Sequence, residues 1–156
     1  MICVIQRVDG AEVRADGKTV GECGRGLLVL VCAVKGDTAE TAGRVAAKIT
    51  AMRIFEDENG KLGKSVKDIS GEILVVSNFT LCGSCRRGNR PDFSAAERSE
   101  PAEKLCEQLI NELRNSGVKT ASGEFGAEMK IKCGLCGPVT VILDSEKDFP
   151  AKYASE

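Results

Sequence analysis

Residues 27–34 read Leu-Leu-Val-Leu-Val-Cys-Ala-Val, an unbroken apolar run in a chain of 156 residues. A run of this length without alternation is typical of a strand that is buried on both faces of its sheet. Apolar residues then recur at helical spacing over residues 38–53, which predicts an amphipathic helix. Asp37 and Glu40 would form a capping box at its start. The centre of the fold is therefore predicted to be a buried strand joined to a helix.

Strand and turn signals precede this run. Residues 2–8 show partial alternation of apolar side chains, and residues 11–15 follow as a second strand segment. Asp16-Gly17 is a strong signal for a tight hairpin turn, and residues 19–23 would form the returning strand. The N-terminal part of the sheet is therefore expected to be antiparallel.

Further elements follow the first helix. Asn59-Gly60 predicts a turn, and residues 72–77 have the composition of a short apolar strand. Residues 102–113 carry the cleanest helical stripe in the chain, and Gly117 stands where a C-terminal cap would lie. The sequence therefore predicts a second amphipathic helix after this strand.

The last third of the chain combines a loop, strands and a tail. Residues 82–98 have the glycine and proline content of a loop, and two final strands are expected at 129–133 and 139–144, around a turn. Residues 145–156 form a polar, charged C-terminal tail that we expect to fray. We therefore predict one α/β domain over residues 1–144. It would have mixed, mostly antiparallel β-sheets and two main helices packed on one side.

Composition excludes several kinds of function. The chain has no histidine, so a Ser-His-Asp or Cys-His triad is excluded. The net charge of −1 gives no general attraction to nucleic acid, although a local basic patch could still bind it. The apolar stretch at the N-terminus is too short for a signal peptide, because polar residues follow it at once. No apolar run approaches the roughly 18 residues of a membrane span. We therefore expect a cytoplasmic protein with no membrane partner.

Two short motifs together resemble one protein family. Residues 77–81 (Ser-Asn-Phe-Thr-Leu) and 137–140 (Gly-Pro-Val-Thr) are similar to the Ser-Gln-Phe-Thr-Leu and Asn-x-Gly-Pro-Val-Thr signatures of the D-aminoacyl-tRNA deacylases. Asn78 stands where that family usually has Gln, and Leu135 where it usually has Asn. Both departures bear on activity and substrate range rather than on the fold. Colinear stretches extend the resemblance over residues 1 to about 144, at 5–8, 26–30, 52–55, 87–94 and 123–129.

The resemblance implies a fold, a reaction and an assembly. It implies a three-layer β/β/α domain that hydrolyses the ester between a D-amino acid and the 3′ end of tRNA, as a chiral proofreading enzyme. It also implies a homodimer whose active sites lie at the subunit interface. The bond between Gly137 and Pro138 would be cis, and this pair would reach into the partner's site. Its carbonyls would bind the substrate α-amino group, and an L side chain would clash there. Glycine would pass, so glycyl-tRNA mischarged on tRNA(Ala) is a further expected substrate.

The resemblance assigns roles to individual residues. Ser77, Asn78, Phe79 and Thr80 would form the catalytic segment. No general base is available to activate Thr80, so we expect the N–H groups of Phe79 and Thr80 to stabilise the oxyanion. The ribose 2′-OH of the substrate would orient the attacking water. The residues expected to bind the substrate and select its chirality are Gly137, Pro138, Arg7, Phe125 and Met129.

A basic loop follows the catalytic segment. Arg86, Arg87 and Arg90 are placed to contact phosphates at the acceptor end of tRNA. Three lysines, Lys61, Lys64 and Lys67, could extend this patch, but ordinary solvated surface charge is the simpler interpretation.

The eight cysteines allow other interpretations of the function. Cys3, Cys23, Cys32 and Cys106 lie among apolar residues, as small core side chains do. Cys82, Cys85, Cys133 and Cys136 form two CxxC pairs that abut the two motifs and could together hold a structural zinc ion, although no cofactor is required. The separation between the pairs exceeds the usual spacing of about 15–20 residues.

Two alternatives to an enzyme therefore remain at this point. The first is an inactive, zinc-stabilised tRNA-binding module, and the second is a thiol redox protein that uses the CxxC pairs. A deacylation assay that compares D- and L-aminoacyl-tRNA separates the esterase from both alternatives. Metal content and thiol titration separate the two alternatives from each other.

Overall fold

The computed structural model describes residues 1–149. These residues form eight β-strands, three α-helices and one 3₁₀ turn. The strands are β1 (Ile2–Ala15), β2 (Lys18–Cys23), β3 (Gly26–Cys32), β4 (Phe55–Glu56), β5 (Leu62–Lys64), β6 (Glu72–Ser77), β7 (Thr120–Ser122) and β8 (Met129–Asp144). The helices are α1 (Ala39–Ala51), α2 (Ser99–Asn115) and α3 (Ser145–Asp148), and the 3₁₀ turn is Phe79–Cys82.

Strand β1 organises the main sheet. It pairs antiparallel with β8 along one side, and with β3 and then β2 along the other. Strands β3, β6 and β7 are parallel neighbours, because helices α1 and α2 lie in the connections between them. Strands β4 and β5 form a separate hairpin around Gly60, whose φ is +72°. The prediction of a mixed, mostly antiparallel α/β domain is confirmed.

Strand β3 is buried on both faces, as its continuous apolar run predicts. Leu27, Val29 and Val31 pack in a core that includes α1 and α2, and Leu28 packs in a second core on the opposite face. The second core is enclosed because β2 bends over β6 and β7. The backbone of Gly21 approaches Ser122 so closely that an added Cβ would collide with its carbonyl group. Two β layers and one helical layer result.

Both main helices form where the apolar periodicity places them, but the capping prediction for α1 is wrong. Thr38 is the N-cap and shares a capping box with Thr41. Asp37 instead accepts hydrogen bonds from the backbone N–H of Val34 (2.7 Å) and from the amino group of Met1 (2.6 Å). Helix α2 ends just before Gly117, whose φ of +90° is the left-handed conformation expected after a helix.

The C-terminal region differs most from the expectation. Two strands around a turn were expected over residues 129–144, and the structure has the single strand β8. The pairing register between β1 and β8 shifts on both sides of Val8. These shifts accommodate the irregular backbone, so β8 continues through Gly137 and Pro138. For the same reason the two predicted segments before the first hairpin are one strand, β1.

Part of the predicted tail belongs to the domain. Ser145 is buried, and its hydroxyl accepts a hydrogen bond of 2.6 Å from the Met1 amino group. The Phe149 ring packs on the first core with the Arg44 guanidinium 4.7 Å from its centroid. The prediction of fraying is therefore wrong for residues 145–149, and residues 150–156 lie outside the described part. Among the helices of residues 1–149, none has the length and apolar character that a membrane crossing requires.

Candidate functional site

A cleft of about 860 Å³ opens where several elements end together. Its walls come from the ends of β3 and β6, the start of α2, and the segment that leads into β8. Strands β3 and β6 are parallel, so their carboxyl ends lie at the same edge of the sheet. The segments that follow both strands therefore start at this edge, where ligands of α/β proteins commonly bind. The lining is mainly apolar, and its polar side chains come both from the end of β6 and the segment after it (Ser77, Asn78 and Thr80) and from other walls (Glu97, Ser99 and Glu128).

The segment from Ser77 to Thr80 forms one wall of this cleft. The backbone N–H of Asn78 donates to the carbonyl of Val31 (2.7 Å), which fixes the point where the chain leaves β6. The 3₁₀ turn then closes through the Leu81 N–H to Asn78 carbonyl bond (3.3 Å) and a further bond after it. Phe79 and Thr80 open the turn, so their N–H groups have no acceptor within the turn, nor elsewhere in residues 1–149.

Side chains of the same segment make specific contacts. The Thr80 hydroxyl donates to the Asn78 side-chain oxygen, an amide acceptor that does not take up a proton. The ring of Phe79 is 61% exposed and packs edge to face on Phe93, with centroids 5.3 Å apart. The geometry therefore gives the Thr80 hydroxyl no base that would make it a nucleophile.

Phe125 and Met129 line the cleft together with Ser77–Thr80, so the structure brings these predicted residues together. The sequence analysis missed Phe93 and Glu97, which also line the cleft and are half-buried. A signal for Phe93 was present, because it is a large apolar side chain inside an otherwise polar loop. Nothing in the spacing of the sequence places Glu97 near the turn.

The second motif lies elsewhere, on β8. The peptide bond between Gly137 and Pro138 is cis, Gly137 has a φ of +115°, and both residues are exposed. We call this pair the Gly137–Pro138 corner; it does not line the cleft of its own chain. The Arg7 side chain, 13% exposed, lies directly behind it. Its Nε donates to the carbonyl of Cys136 (3.3 Å) and its Nη1 to that of Ile54 (3.1 Å). Arg7 therefore holds the backbone next to the corner.

The strand that carries the corner presents an uncovered apolar surface. Within residues 1–149, β8 pairs with β1 alone, so its other edge is free. Ile142 is 69% exposed and Leu135 is 51% exposed on this strand. Exposed large aliphatic side chains on a free strand edge are typical of an interaction surface.

The basic loop leaves the cleft wall next to the Phe79–Cys82 turn. Backbone hydrogen bonds of 2.9 Å between Ser84 and Asp92 close the loop that carries Arg86, Arg87 and Arg90. All three guanidinium groups are exposed, and none is in an ion pair with another residue of 1–149. The loop therefore presents unneutralised positive charge close to the cleft.

The lysines behave differently from the arginines. Lys64 forms an ion pair with Glu58, which raises the pKa of the Lys64 ammonium group through this hydrogen bond. Lys61 and Lys67 are exposed on the chain segments around the small hairpin. This arrangement is typical of ordinary surface charge, which was the simpler interpretation of the lysines.

The zinc prediction is wrong for the described residues. Cys82 is buried against Cys32, Cys85 is exposed in the basic loop, and Cys133 and Cys136 lie on β8. In the part of the chain that the structure describes, no three Cys, His, Asp or Glu side chains form a group that could hold a metal ion. The two CxxC pairs do not converge: Cys82 is buried at the end of the Phe79–Cys82 turn, whereas Cys133 is exposed on β8 and Cys136 is half-buried on the same strand.

Comparisons with known proteins agree on one family. A family model described as D-Tyr-tRNA(Tyr) deacylase matches residues 4–144. The chain is 46% identical over 149 residues to the D-aminoacyl-tRNA deacylase of Clostridium botulinum (strain Eklund 17B / Type B), covering 96% of this chain and 100% of the relative. It is 48% identical to the D-aminoacyl-tRNA deacylase of Thermosipho africanus (strain TCF52B), with the same coverage of both chains.

Solved structures show the same fold. One described as "c-Myc DNA Unwinding Element Binding Protein" superposes with a TM-score of 0.87 at 39% identity, covering 93% of this chain and 99% of that chain. Another, described as "Structural Analysis of a probable eukaryotic D-amino acid tRNA deacylase", gives a TM-score of 0.79, covering 91% of this chain and 97% of that chain. At 17% identity, this second likeness concerns the fold alone.

Proposed function

The chain belongs to the D-aminoacyl-tRNA deacylase family and hydrolyses the ester bond of D-aminoacyl-tRNA, and we propose that two copies of the chain share each active site. The separation of the two motifs supports this proposal. The cleft carries the Ser77–Thr80 segment, whereas the Gly137–Pro138 corner projects from β8 outside that cleft. A symmetric dimer formed through the free edge of β8 would bring the corner of one copy to the cleft of the other.

We assign substrate selection to the corner of the partner subunit. Its carbonyl groups would accept hydrogen bonds from the α-amino group of the substrate, and its backbone would occupy the space that an L side chain needs. Such a clash discriminates only if the backbone cannot move away. Two features hold it in place: the Arg7 hydrogen bonds behind it, and the β8 ladder that continues on both sides. Glycyl-tRNA mischarged on tRNA(Ala) lacks the excluded side chain and would also be hydrolysed.

We assign transition-state stabilisation to the Phe79–Cys82 turn. The unpartnered N–H groups of Phe79 and Thr80 are available to donate to the oxyanion that forms when water attacks the ester carbonyl. Two preorganised donors of this kind need no side-chain base. The 2′-OH of the terminal ribose would orient the water, and the mechanism draws on no cofactor.

The exposed arginines of the loop at 84–92 would bind the acceptor end of tRNA. Their position beside the cleft wall is suited to the phosphates that precede the terminal adenosine. A tRNA substrate would place the enzyme in the cytoplasm. The Lys61, Lys64 and Lys67 group has no assigned part in this binding.

The test of shared sites is complementation between two inactive variants. Phe79→Pro removes a donor of the cleft, and Gly137→Ala alters the corner; each variant alone should hydrolyse D-aminoacyl-tRNA poorly. Mixed and reassociated, the two would form heterodimers with one intact site each, restoring about a quarter of wild-type activity under random pairing. No recovery in a mixture shown to contain heterodimers would refute sharing.

Substrate selection is tested on the wild type. Equal hydrolysis of D- and L-aminoacyl-tRNA would refute chiral selection, and hydrolysis of glycyl-tRNA tests the added substrate.

A further inference from the structure

We propose that Cys32 and Cys82 form a redox pair, and that their oxidation to a disulfide fastens the Phe79–Cys82 turn to the end of β3 and slows deacylation. The effect on the rate rests on the proposed role of this turn in catalysis. The formation of the disulfide does not rest on that role. This pairing differs from the pairing within either CxxC motif, since it joins Cys82 to a residue 50 positions earlier in the chain.

The two sulfur atoms are already in contact. The Sγ–Sγ distance is 2.6 Å, and both residues are buried, with 2% and 7% of their surfaces exposed. A disulfide has an S–S distance of about 2.05 Å, so bond formation requires a shift of roughly half an ångström. The Cys85 side chain, the CxxC neighbour of Cys82, is exposed instead. Local spacing therefore suggests the wrong partner, and the tertiary structure selects Cys32.

The position of the pair links it to the proposed oxyanion donors. Cys82 is the last residue of the turn, and Cys32 is the last residue of β3. The thiol of Cys32 also lies 3.5 Å from the carbonyl oxygen of Phe79, the first residue of that turn. A covalent bond at this point joins β3 directly to the segment that carries the Phe79 and Thr80 N–H groups.

A small oxidant has a route to the pair because Cys32 lines the cleft. Hydrogen peroxide is a sufficient co-reactant. The Cys32 thiolate attacks one peroxide oxygen to give a sulfenic acid and hydroxide, which takes up the proton released from the thiol to become water. The Cys82 sulfur then displaces the sulfenic hydroxyl, forming the S–S bond, and this hydroxyl leaves as a second water with the Cys82 proton. Each sulfur loses one electron, and the peroxide gains two.

The same burial makes the reaction slow. Desolvation, followed by the hydrogen bond with Cys82, raises the pKa of the Cys32 thiol. The thiolate is the reactive form, so at neutral pH the pair stays reduced until the oxidant is abundant. The pair is therefore suited to respond to oxidative stress rather than to turn over in a catalytic cycle.

The expected consequence is a partial loss of activity. Drawing the turn toward β3 by a few tenths of an ångström moves both N–H donors away from the position that the oxyanion occupies. Catalytic geometry must be held to about 0.5 Å, and a misplacement of 1 Å costs about a hundredfold. We expect the oxidised protein to be about three- to tenfold slower than the reduced protein, and dithiothreitol to restore the rate.

The experiment uses the full chain with its more exposed thiols removed (Cys85→Ser, Cys133→Ser and Cys136→Ser), so that intermolecular disulfides do not interfere. The protein is treated with hydrogen peroxide under native conditions, and remaining thiols are alkylated. Peptide mass spectrometry should then find the Cys32 and Cys82 peptides linked, about 2 Da lighter than the sum of the reduced peptides. The deacylation rate is measured before and after dithiothreitol.

Two variants and one control complete the test. In the same background, Cys82→Ala and Cys32→Ala should each lose the response, so that the ratio of reduced to oxidised rate is close to one. Cys106→Ala removes another buried thiol that lines the cleft and should keep the response. The proposal fails if folded protein yields no linked peptide, if linked protein keeps its full rate, or if either variant keeps the response. Inactive reduced wild-type protein would refute the proposed function, while the peptide result would still decide whether Cys32 and Cys82 pair.

Discussion

The Phe79–Cys82 turn and the Gly137–Pro138 corner depend on their surroundings in different ways. The turn is fixed by short-range backbone bonds and by the adjacent end of β3, and it lines a cleft made by its own chain. The corner lies on β8, which pairs with β1 alone among the strands of residues 1–149, and it is held from behind by Arg7, far away in the sequence. The corner does not line the cleft of its own chain, although Arg7 holds the backbone next to it. This difference suggests that each copy of the chain supplies half of a site.

The largest effect is expected from removing a backbone donor of the turn. Phe79→Pro deletes one N–H at the first helical position, where proline fits, and Asn78 before it is not helical (φ −151°, ψ +88°), as the residue before a proline must be. We expect deacylation to fall by about 10²- to 10³-fold, the usual cost of losing an oxyanion donor. Single-turnover hydrolysis of D-aminoacyl-tRNA measures this loss.

The matched control for this change is Phe79→Ala. It removes the same exposed ring and its contact with Phe93 but keeps the N–H. If alanine costs as much as proline, the side chain rather than the backbone donor is what matters at this position. Circular dichroism and thermal unfolding check that both variants retain the fold.

The second prediction concerns the corner. A Cβ added to Gly137 would lie 2.8 Å from a Val139 side-chain carbon and 2.9 Å from the Val139 nitrogen, with the backbone at a positive φ. The backbone must shift, so we expect Gly137→Ala to lower D-selective deacylation by about a hundredfold. The ratio of D- to L-aminoacyl-tRNA hydrolysis should fall as well.

Gly43→Ala is the control for adding a methyl group elsewhere. Its Cβ would meet only Glu112, at 4.0 Å, and alanine is the better helix former by up to about 1 kcal/mol. We expect full activity and equal or higher thermal stability. A Gly137→Ala enzyme with unchanged D-selectivity would contradict the assignment of chirality to the corner.

The sequence predicts some elements of the fold well and others not at all. The buried strand β3, both main helices and the first hairpin follow from periodicity and turn chemistry, because these signals depend on neighbours in the chain. Strand β6 also has the predicted bounds, Glu72–Ser77. The continuity of β8 could not be predicted, since Gly137-Pro138 suggests a turn unless pairing with β1 is known. The three residues of β7 carry no apolar run at all.

The site shows the same division. The resemblance supplied the Ser77–Thr80 segment, Phe125 and Met129, and the structure places them around one cleft. The contact between Cys32 and Cys82 joins two distant parts of the chain, so no local pattern announces it. The CxxC spacing was misleading for the same reason, because it describes chain neighbours and not tertiary partners.

A third prediction tests how the substrate reaches both regions. Replacing Arg86, Arg87 and Arg90 by Gln should weaken tRNA binding by about fiftyfold near physiological salt and lower the salt slope by about 2, as for three lost phosphate contacts to a single strand. In the control variant, Gln replaces Lys61, Lys64 and Lys67. This variant loses the same formal charge and should keep both the tRNA affinity and the salt slope. Equal losses in both triple variants would mean that general charge, not the loop, attracts tRNA. Binding titrations at several salt concentrations measure affinity and slope.

The smallest effect is expected at the Thr80 side chain, although it stands at the centre of the catalytic segment. Its hydroxyl donates to Asn78, and it has no base as a partner, so Thr80→Ala removes one hydrogen bond while the backbone N–H remains. A hydrogen bond of this kind contributes about 1 kcal/mol, so we expect a loss of no more than about fivefold in rate. Thr80→Ser restores the hydroxyl and should recover most of that loss. A decrease of more than about a thousandfold for Thr80→Ala with an intact fold would instead identify the hydroxyl as the nucleophile. The small loss is expected because, in the proposed mechanism, this turn stabilises the oxyanion through the backbone N–H groups of Phe79 and Thr80, and Thr80→Ala leaves both in place.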